Sequence, residues 1–137
     1  GGGGAVTLNL LFQYPDIYKT GVAVSAVTEQ HFYDNIYTER YMGLPNESEE
    51  AYKQASPITY AQNLKGNLLY IHGTGDDNVH YKNAEVLIDK LIKYDKMFNL
   101  MIYPNRTHGI SEGEGTDQHL MNTFRKFIRE YAPAGAR

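Results

Sequence analysis

Apolar residues in this chain gather in short runs between polar and glycine-rich segments, and the period of each run predicts its secondary structure. Three runs are short, apolar and rich in β-branched or aromatic side chains, which predicts buried strands at residues 21–27 (GVAVSAV), 67–71 (NLLYI) and 98–103 (FNLMIY). Residues 5–14 form a longer apolar run that stops before Pro15, which is typical of a buried helix. The chain therefore begins with a helix followed by a strand.

Two later segments place apolar residues at the spacing of a helix. They are Ala84, Leu87, Ile88 and Leu91, and then Leu120, Phe124, Phe127, Ile128 and Tyr131. Residues 31–42 show no clean period and predict a loop with some helix. Residues 45–56 form a polar, acidic segment that predicts a short helix. Strands that alternate with helices predict the α/β class, with a mostly parallel sheet flanked by helices. Because three strands make a thin sheet with an edge that needs a neighbour, we expect residues 1–137 to form the C-terminal half of a larger domain.

The chain opens with four consecutive glycines, and two interpretations of them remain open. Residues 1–5 can be a linker or non-native residues. They can equally be the glycine-rich end of a tight turn that leads into the first helix. Composition alone does not separate these alternatives.

Composition narrows the class of protein and of partner. A chain of 137 residues with 42% hydrophobic residues has the size and the apolar content of one domain. The formal net charge of -3 gives no electrostatic reason to bind nucleic acid or an anionic membrane. Cysteine is absent, which excludes disulfides, thiolate metal sites and a cysteine nucleophile.

Polar residues with catalytic potential follow the second and third predicted strands. Residues 72–78 (HGTGDDN) come after one strand and residues 105–109 (NRTHG) after the next. Ligands of parallel sheets bind beyond the carboxyl ends of the strands. An acid followed by a histidine is the order of the last two members of the α/β-hydrolase triad, in which the carboxylate orients the imidazole and the imidazole takes a proton from a serine. This chemistry fits Asp76 and Asp77 equally well as the acid, and His108 as the base.

Simpler interpretations exist for the same residues. Asp76 and Asp77 can start a turn and cap the following helix, and a histidine before a glycine is common in loops. A dinucleotide loop is disfavoured because Asn78 replaces the third glycine and two aspartates would repel a pyrophosphate. A calcium loop lacks its final glutamate, and the histidines lack the spacing of metal ligands.

Three segments of the chain resemble the dipeptidyl peptidase IV branch of the prolyl oligopeptidase family. They are residues 33–45 (YDNIYTERYMGLP), 72–80 (HGTGDDNVH) and 108–110 (HGI), and the resemblance runs from Thr7 to about Tyr131. It implies the C-terminal half of an α/β-hydrolase domain. It also implies that Asp76 is the triad acid and His108 the triad base.

The resemblance further implies a set of substrate-binding residues. They are Tyr33 and Tyr37 in a small apolar pocket for proline, Val27 and Val79 beside that pocket, and Asn78 at the carbonyl between the first two substrate residues. A pocket for proline needs flat apolar walls, since the pyrrolidine ring has no N–H to donate. Without the resemblance, the spacing of Tyr33, Tyr37 and Tyr41 would equally predict core packing along one helix face.

By the same resemblance, the whole protein is expected to be a serine exopeptidase that needs no cofactor. It would release dipeptides, or a similarly short unit, from peptides with a free amino terminus and with proline or alanine next to the cleaved bond. The resemblance also implies a preceding half of the hydrolase domain, a β-propeller, and a homodimer through the last helix. Relatives of this kind are often secreted, periplasmic or membrane-anchored.

The first residues depart from the family pattern. Aligning Gly3 and Gly4 with the last two glycines of the nucleophile turn puts Gly1 where the family has its serine. We therefore expect the chain by itself to be inactive. Two alternatives stay open, namely another α/β hydrolase such as an esterase, and a catalytically dead homologue that serves in interactions.

Overall fold

The computed structural model describes residues 2–28 and 53–132 of the chain. The elements in chain order are helix α1 (Gly2–Gln13), strand β1 (Thr20–Val24), a 3-10 helix (Pro57–Asn63), strand β2 (Asn67–Gly73), helix α2 (Lys82–Lys93), strand β3 (Asn99–Tyr103) and helix α3 (Thr116–Tyr131). The predicted loop at residues 31–42 and most of the acidic segment 45–56 lie outside the described residues.

The three strands form a parallel sheet in the order β1-β2-β3. Ala23 of β1 pairs with Tyr70 of β2, and Ile71 of β2 pairs with Met101 of β3. This sheet and its flanking helices confirm the predicted α/β class. Parallel strands place their carboxyl ends at one edge of a sheet, so the polar segments after β2 and β3 come together there.

The central strand separates two apolar cores. Leu68 and Tyr70 point to the side that carries α1 and α2, where they pack with Leu8 and Leu87. Leu69 and Ile71 point to the opposite side, where they pack with Phe127 of α3. Successive side chains of a strand alternate between faces, and a strand with helices on both faces is therefore apolar throughout. This explains the unbroken apolar run that predicted β2.

The first strand is shorter than its apolar run. The sequence predicts a strand over residues 21–27, and this was wrong at its end, because β1 stops at Val24. Ser25 has a φ of 51°, in the left-handed region, which turns the chain out of the sheet. Ala26 and Val27 are buried after the turn, so they contribute to the core without belonging to the strand.

Helix α1 starts in close contact with the end of β1. A Cβ atom on Gly4 would lie 2.8 Å from the Cβ of Ala26 and 3.0 Å from the carbonyl oxygen of Val24. Only a glycine leaves room for this approach. This contact packs the start of α1 against the end of β1.

The 3-10 helix was not predicted from the sequence. Pro57 lies in its first turn, and the amide of Ile58 donates to the carbonyl of Thr28 at 3.0 Å. Ala61 and the following Leu64 reach the core beneath α1 and α2. Such a short element has no 3.6-residue stripe for a sequence pattern to reveal. Among the helices that the structure describes, none is long and apolar enough to cross a membrane.

Candidate active site

Two loops meet at the carboxyl ends of β2 and β3. The amide of Thr74 donates to the carbonyl of Tyr103 at 3.0 Å, and the amide of Gly75 donates to the carbonyl of Arg106 at 3.1 Å. The amide of Asn105 donates in return to Oγ1 of Thr74 at 2.7 Å. These hydrogen bonds hold the loop that carries Asp76 against the loop that carries His108.

The two loops approach so closely because residue 73 is a glycine. A Cβ atom at this position would lie 2.1 Å from the carbonyl oxygen of Arg106 and 3.1 Å from that of Thr107. Both atoms belong to the backbone next to His108, so they cannot move aside as a side chain would. Gly73 therefore sets the spacing between the two loops.

Asp76 is buried and makes hydrogen bonds through both carboxylate oxygens. Its Oδ2 lies 2.8 Å from Nδ1 of His108, while its Oδ1 accepts from the amides of Asn78 at 3.0 Å and Val79 at 2.8 Å. Asp77 is exposed. The structure thus puts Asp76, and not Asp77, in contact with His108, and it also gives Asp76 the turn-forming contacts of the simpler interpretation.

The contact with Asp76 determines which nitrogen of His108 is free. An ionised carboxylate only accepts hydrogen bonds, so Nδ1 of the neutral imidazole carries the hydrogen and donates it to Asp76. The lone pair on Nε2 is then available to accept a proton. The side chain of His108 is 33% exposed, which leaves it accessible at the rim of the sheet.

A second histidine lies behind the same carboxylate. His72 is fully buried at the end of β2, and its Nε2 is 2.8 Å from the carbonyl oxygen of Val79 and 3.3 Å from Oδ2 of Asp76. Its Nδ1 is 3.0 Å from the hydroxyl of Tyr70. A carbonyl only accepts, so Nε2 carries the hydrogen and Nδ1 is left as an acceptor. The Tyr70 hydroxyl faces both this Nδ1 and the carbonyl oxygen of Ala26, the latter at 3.3 Å. Burial lowers the pKa of His72 and raises that of Tyr70, so both stay neutral near pH 7.

Two further residues hold the loop of His108, and the sequence analysis missed both. Ser25 is buried, and its hydroxyl donates to the carbonyl oxygen of His108 at 3.1 Å. Because that hydroxyl is occupied by a backbone carbonyl, Ser25 is not placed as a nucleophile. Glu112 accepts from the amides of Thr107 and Ser111 on either side of His108. The only sequence signal for Glu112 is an acidic residue four positions after the histidine.

The structure describes three of the five predicted substrate-binding residues, namely Val27, Val79 and Asn78. Val27 and Val79 pack against Ala5 of α1 in a small buried cluster. Asn78 is exposed next to Asp76. Tyr33 and Tyr37 lie outside the described residues. Through Ala5 and Val79, the start of α1 adjoins the turn that binds the Asp76 carboxylate.

No group of three or more histidine, aspartate or glutamate side chains within residues 2–28 and 53–132 is arranged to hold a metal ion. Asp76 has two histidines beside it, but His72 directs its Nε2 hydrogen toward the carboxylate and Val79. Asp76 is thus placed to accept a hydrogen bond from His108.

The sequence and the fold both match known peptidases. Residues 2–134 match the sequence profile of the prolyl oligopeptidase family. The chain is 37% identical over 131 residues to dipeptidyl peptidase 4 of Felis catus, an alignment that covers 93% of this chain and 17% of the relative. It is 36% identical over 126 residues to dipeptidyl peptidase 8 of Homo sapiens, covering 88% of this chain and 14% of the relative.

A solved structure extends the match to three dimensions. The crystal structure of Porphyromonas gingivalis dipeptidyl peptidase 4 superposes with a TM-score of 0.91 at 37% identity, over 94% of this chain and 18% of that one. The chain therefore spans less than a fifth of the length of these relatives. Since sequence and fold agree over almost every residue, the chain belongs to the prolyl oligopeptidase family.

Proposed function

We propose that this chain is the C-terminal part of the catalytic domain of a dipeptidyl-peptidase-type serine peptidase, with Asp76 as the acid and His108 as the base of its triad. The longer protein that would contain it is called the intact protein below. The observation that carries the proposal is the 2.8 Å contact between Oδ2 of Asp76 and Nδ1 of His108, which leaves Nε2 free at the rim of the sheet.

The nucleophile would be a serine just before α1, in the turn that precedes this helix in α/β hydrolases. Packing of Ala5 against Val79 supports this position, because the amide of Val79 binds the carboxylate of Asp76. In the family pattern this serine falls at the position that Gly1 occupies in the given chain. We therefore propose that the chain alone lacks the acyl-enzyme reaction.

The proposed reaction uses the free Nε2 of His108. Nε2 of His108 takes the proton of the serine hydroxyl as its oxygen attacks the substrate carbonyl carbon, and Asp76 stabilises the imidazolium that forms. The same proton passes to the leaving amine when the peptide C–N bond breaks. A water then gives a proton to Nε2 of His108 as its oxygen attacks the acyl carbon. The ester bond to the serine breaks, and His108 returns the proton to the serine oxygen as the acid product leaves.

We propose a substrate class from the names of the relatives and from the residues near Asp76 and His108. The relatives are named dipeptidyl peptidases, which supports release of dipeptides from a free amino terminus. We propose that Tyr33 and Tyr37 line the apolar pocket that accepts proline or alanine next to the cleaved bond, and that Val27 and Val79 support this pocket from beside it. The exposed side chain of Asn78, two residues from Asp76, would meet the substrate carbonyl.

The outer side of β3 and α3 is proposed as a homodimer surface. It exposes apolar side chains, with Leu100 at 41%, Met121 at 46% and Ile128 at 44% exposure. Leu100 also lines a groove of about 440 Å³ between β3 and α3. An open strand edge beside apolar side chains favours a second protein surface. The intact protein should therefore have the molar mass of a dimer by light scattering. Replacing Met121 and Ile128 by glutamate should yield monomers. A wild-type monomer contradicts this assignment.

The test of the activity compares three variants of the intact protein on a Gly-Pro chromogenic substrate. Asp76→Asn should lower kcat about 10³–10⁴-fold, because the amide favours the wrong tautomer of the imidazole. His108→Ala removes the base itself and should lower kcat about 10⁶-fold. Asp77→Asn is the matched control, since Asp77 is the exposed neighbour of Asp76. Loss of activity in Asp77→Asn with retention in Asp76→Asn would overturn the assignment.

Two further measurements separate the alternatives. Acetylation of the substrate amino terminus should abolish turnover by a dipeptidyl peptidase but not by an esterase, and an intact protein without any serine-dependent turnover would be a dead homologue. The purified 137-residue chain should show no serine-dependent turnover.

A further inference from the structure

The loop that carries His108 is closed by one carboxylate. Oε2 of Glu112 accepts from the amide of Thr107 at 3.0 Å and also from the Thr107 hydroxyl. Oε1 accepts from the amide of Ser111 at 3.2 Å and lies at the same distance from the amide of Thr107. Glu112 therefore binds the residue directly before His108 and the residue three positions after it.

The remainder of this loop has few restraints of its own. It belongs to no helix or strand, and its internal backbone bond joins the amide of Ile110 to the carbonyl of Thr107 at 3.1 Å. Ile110 is buried with a φ of 50°, so the chain reverses at a residue that disfavours this conformation. Such a backbone is maintained only by surrounding contacts, and Glu112 supplies those on the exposed side.

The backbone of Glu112 is held in place by hydrogen bonds as well. Its carbonyl oxygen accepts from Nε of Arg106 at 3.2 Å and from the hydroxyl of Thr116 at the start of α3. The guanidinium also donates to the carbonyl of Pro104 at 2.9 Å. The residue that holds the loop is thus itself fixed between the end of β3 and the start of α3.

The carboxylate keeps its charge over the working range of a peptidase. The hydrogen bonds from Thr107 and neighbouring amides lower the pKa of Glu112 to about 2. Arg106 donates to the Glu112 carbonyl, and Asp76 contacts both His108 of this loop and His72 behind it. Because Glu112 stays ionised well below neutral pH, its hydrogen bonds do not vary with pH where activity would be measured.

We propose that Glu112 is a positioning residue for His108. By holding the backbone of residues 107–111, it keeps the imidazole at the hydrogen-bonding distance from Asp76. This inference rests on the proposed function, in which His108 is the base, and it gives Glu112 no contact with substrate. Removing the carboxylate should therefore lower kcat and leave KM unchanged.

The first test is Glu112→Gln in the intact protein, assayed with the Gly-Pro substrate. Glutamine has the same length but keeps one acceptor oxygen, so at least the bonds of the other oxygen are lost. A displacement of His108 by about 1 Å costs on the order of 10²-fold in rate, and we expect kcat to fall about 10–100-fold with KM within about twofold. Glu112→Asp should not restore kcat, because its shorter side chain cannot span Thr107 and Ser111.

Glu114→Gln is the matched control. Glu114 is exposed two residues along, and no hydrogen bond to its carboxylate occurs in the part of the chain that the structure describes. If Glu112 acted only through its charge, both variants would shift the acidic limb of the pH profile equally and leave the limiting kcat intact. That result would overturn the positioning role, whereas loss of kcat in Glu112→Gln alone supports it.

Hydrogen exchange gives a readout that does not depend on activity. In Glu112→Gln, the peptide covering residues 104–115 should exchange about tenfold faster by mass spectrometry, while Glu114→Gln should match the wild type. Unchanged exchange in Glu112→Gln would overturn the inference. An inactive wild-type protein would overturn the proposed function instead, and the exchange rates would then decide the structural part of the inference alone.

Discussion

Gly73 offers a direct test of how the acid and base loops are held together. Replacing it by alanine adds one methyl group at the end of β2, where the backbone of the His108 loop passes closest. The added Cβ would lie 2.1 Å from the carbonyl oxygen of Arg106. A close carbon–oxygen contact is about 3.3 Å, so the two loops must separate by about 1.2 Å to admit the methyl group.

The size of the effect follows from this displacement. Overpacking of a well-packed site costs about 1–3 kcal/mol, and here the obstructing atom is backbone and cannot rotate away. Separation of the loops also breaks the bond from the amide of Gly75 to Arg106, now at 3.1 Å. A shift of about 1 Å between catalytic groups costs on the order of 10²-fold in rate. Gly73→Ala should therefore be destabilised by about 1–3 kcal/mol and lose about 10²-fold in kcat/KM.

The assay combines urea unfolding with peptidase kinetics on the intact protein. Gly109→Ala is the matched control, because it adds the same methyl group next to His108 but meets no atom within 4 Å. It should change the free energy of unfolding by less than about 0.5 kcal/mol. If Gly73→Ala were as stable and as active as the wild type, the reasoning from the close approach of the two loops would be refuted.

The remaining predictions concern the buried histidine and the core. Burial lowers the pKa of His72 in the folded state, so below the unfolded value of about 6.5 only the unfolded state takes up the proton. The free energy of unfolding should therefore decrease as the pH is lowered, by up to about 1.4 kcal/mol per pH unit. Urea unfolding at pH 7.5, 6 and 5 should show a shallower fall for His72→Gln and an unchanged one for the exposed His80→Gln; equal slopes in wild type and His72→Gln would contradict this account. Leu87→Ala should cost about 2–5 kcal/mol by the same measurement, since Leu87 is fully buried between α2 and the sheet. Ile92→Ala, on the same helix but 65% exposed, should cost less than about 0.5 kcal/mol, and equal losses in both variants would exclude the described packing of α2.

The fold was predictable where one physical pattern dominates a segment. Strand β2 is apolar because helices cover both of its faces, and α2 shows its stripe because one face is buried. The end of β1 was not predictable, because the left-handed turn at Ser25 interrupts an apolar run that continues into the core. The 3-10 helix was missed because its seven residues leave no 3.6-residue stripe of apolar positions.

The candidate site was predictable to the extent that the sheet determines it. Residues that follow neighbouring parallel strands come together, so the loops of Asp76 and His108 were expected at one edge although they are 32 positions apart. The choice of Asp76 over Asp77 came from the family resemblance and not from the chemistry of the segment. The contact of Ser25 with His108, across 83 positions, depends on packing that no local pattern records.

The hydrogen bonds that join the two loops have a consequence for evolution of the family. Thr74 and Gly75 each bind the backbone of the opposite loop, at Tyr103 and Arg106. An insertion or deletion in either loop would break these contacts and separate the carboxylate from the imidazole at the same time. The lengths of these two segments must therefore change together or not at all.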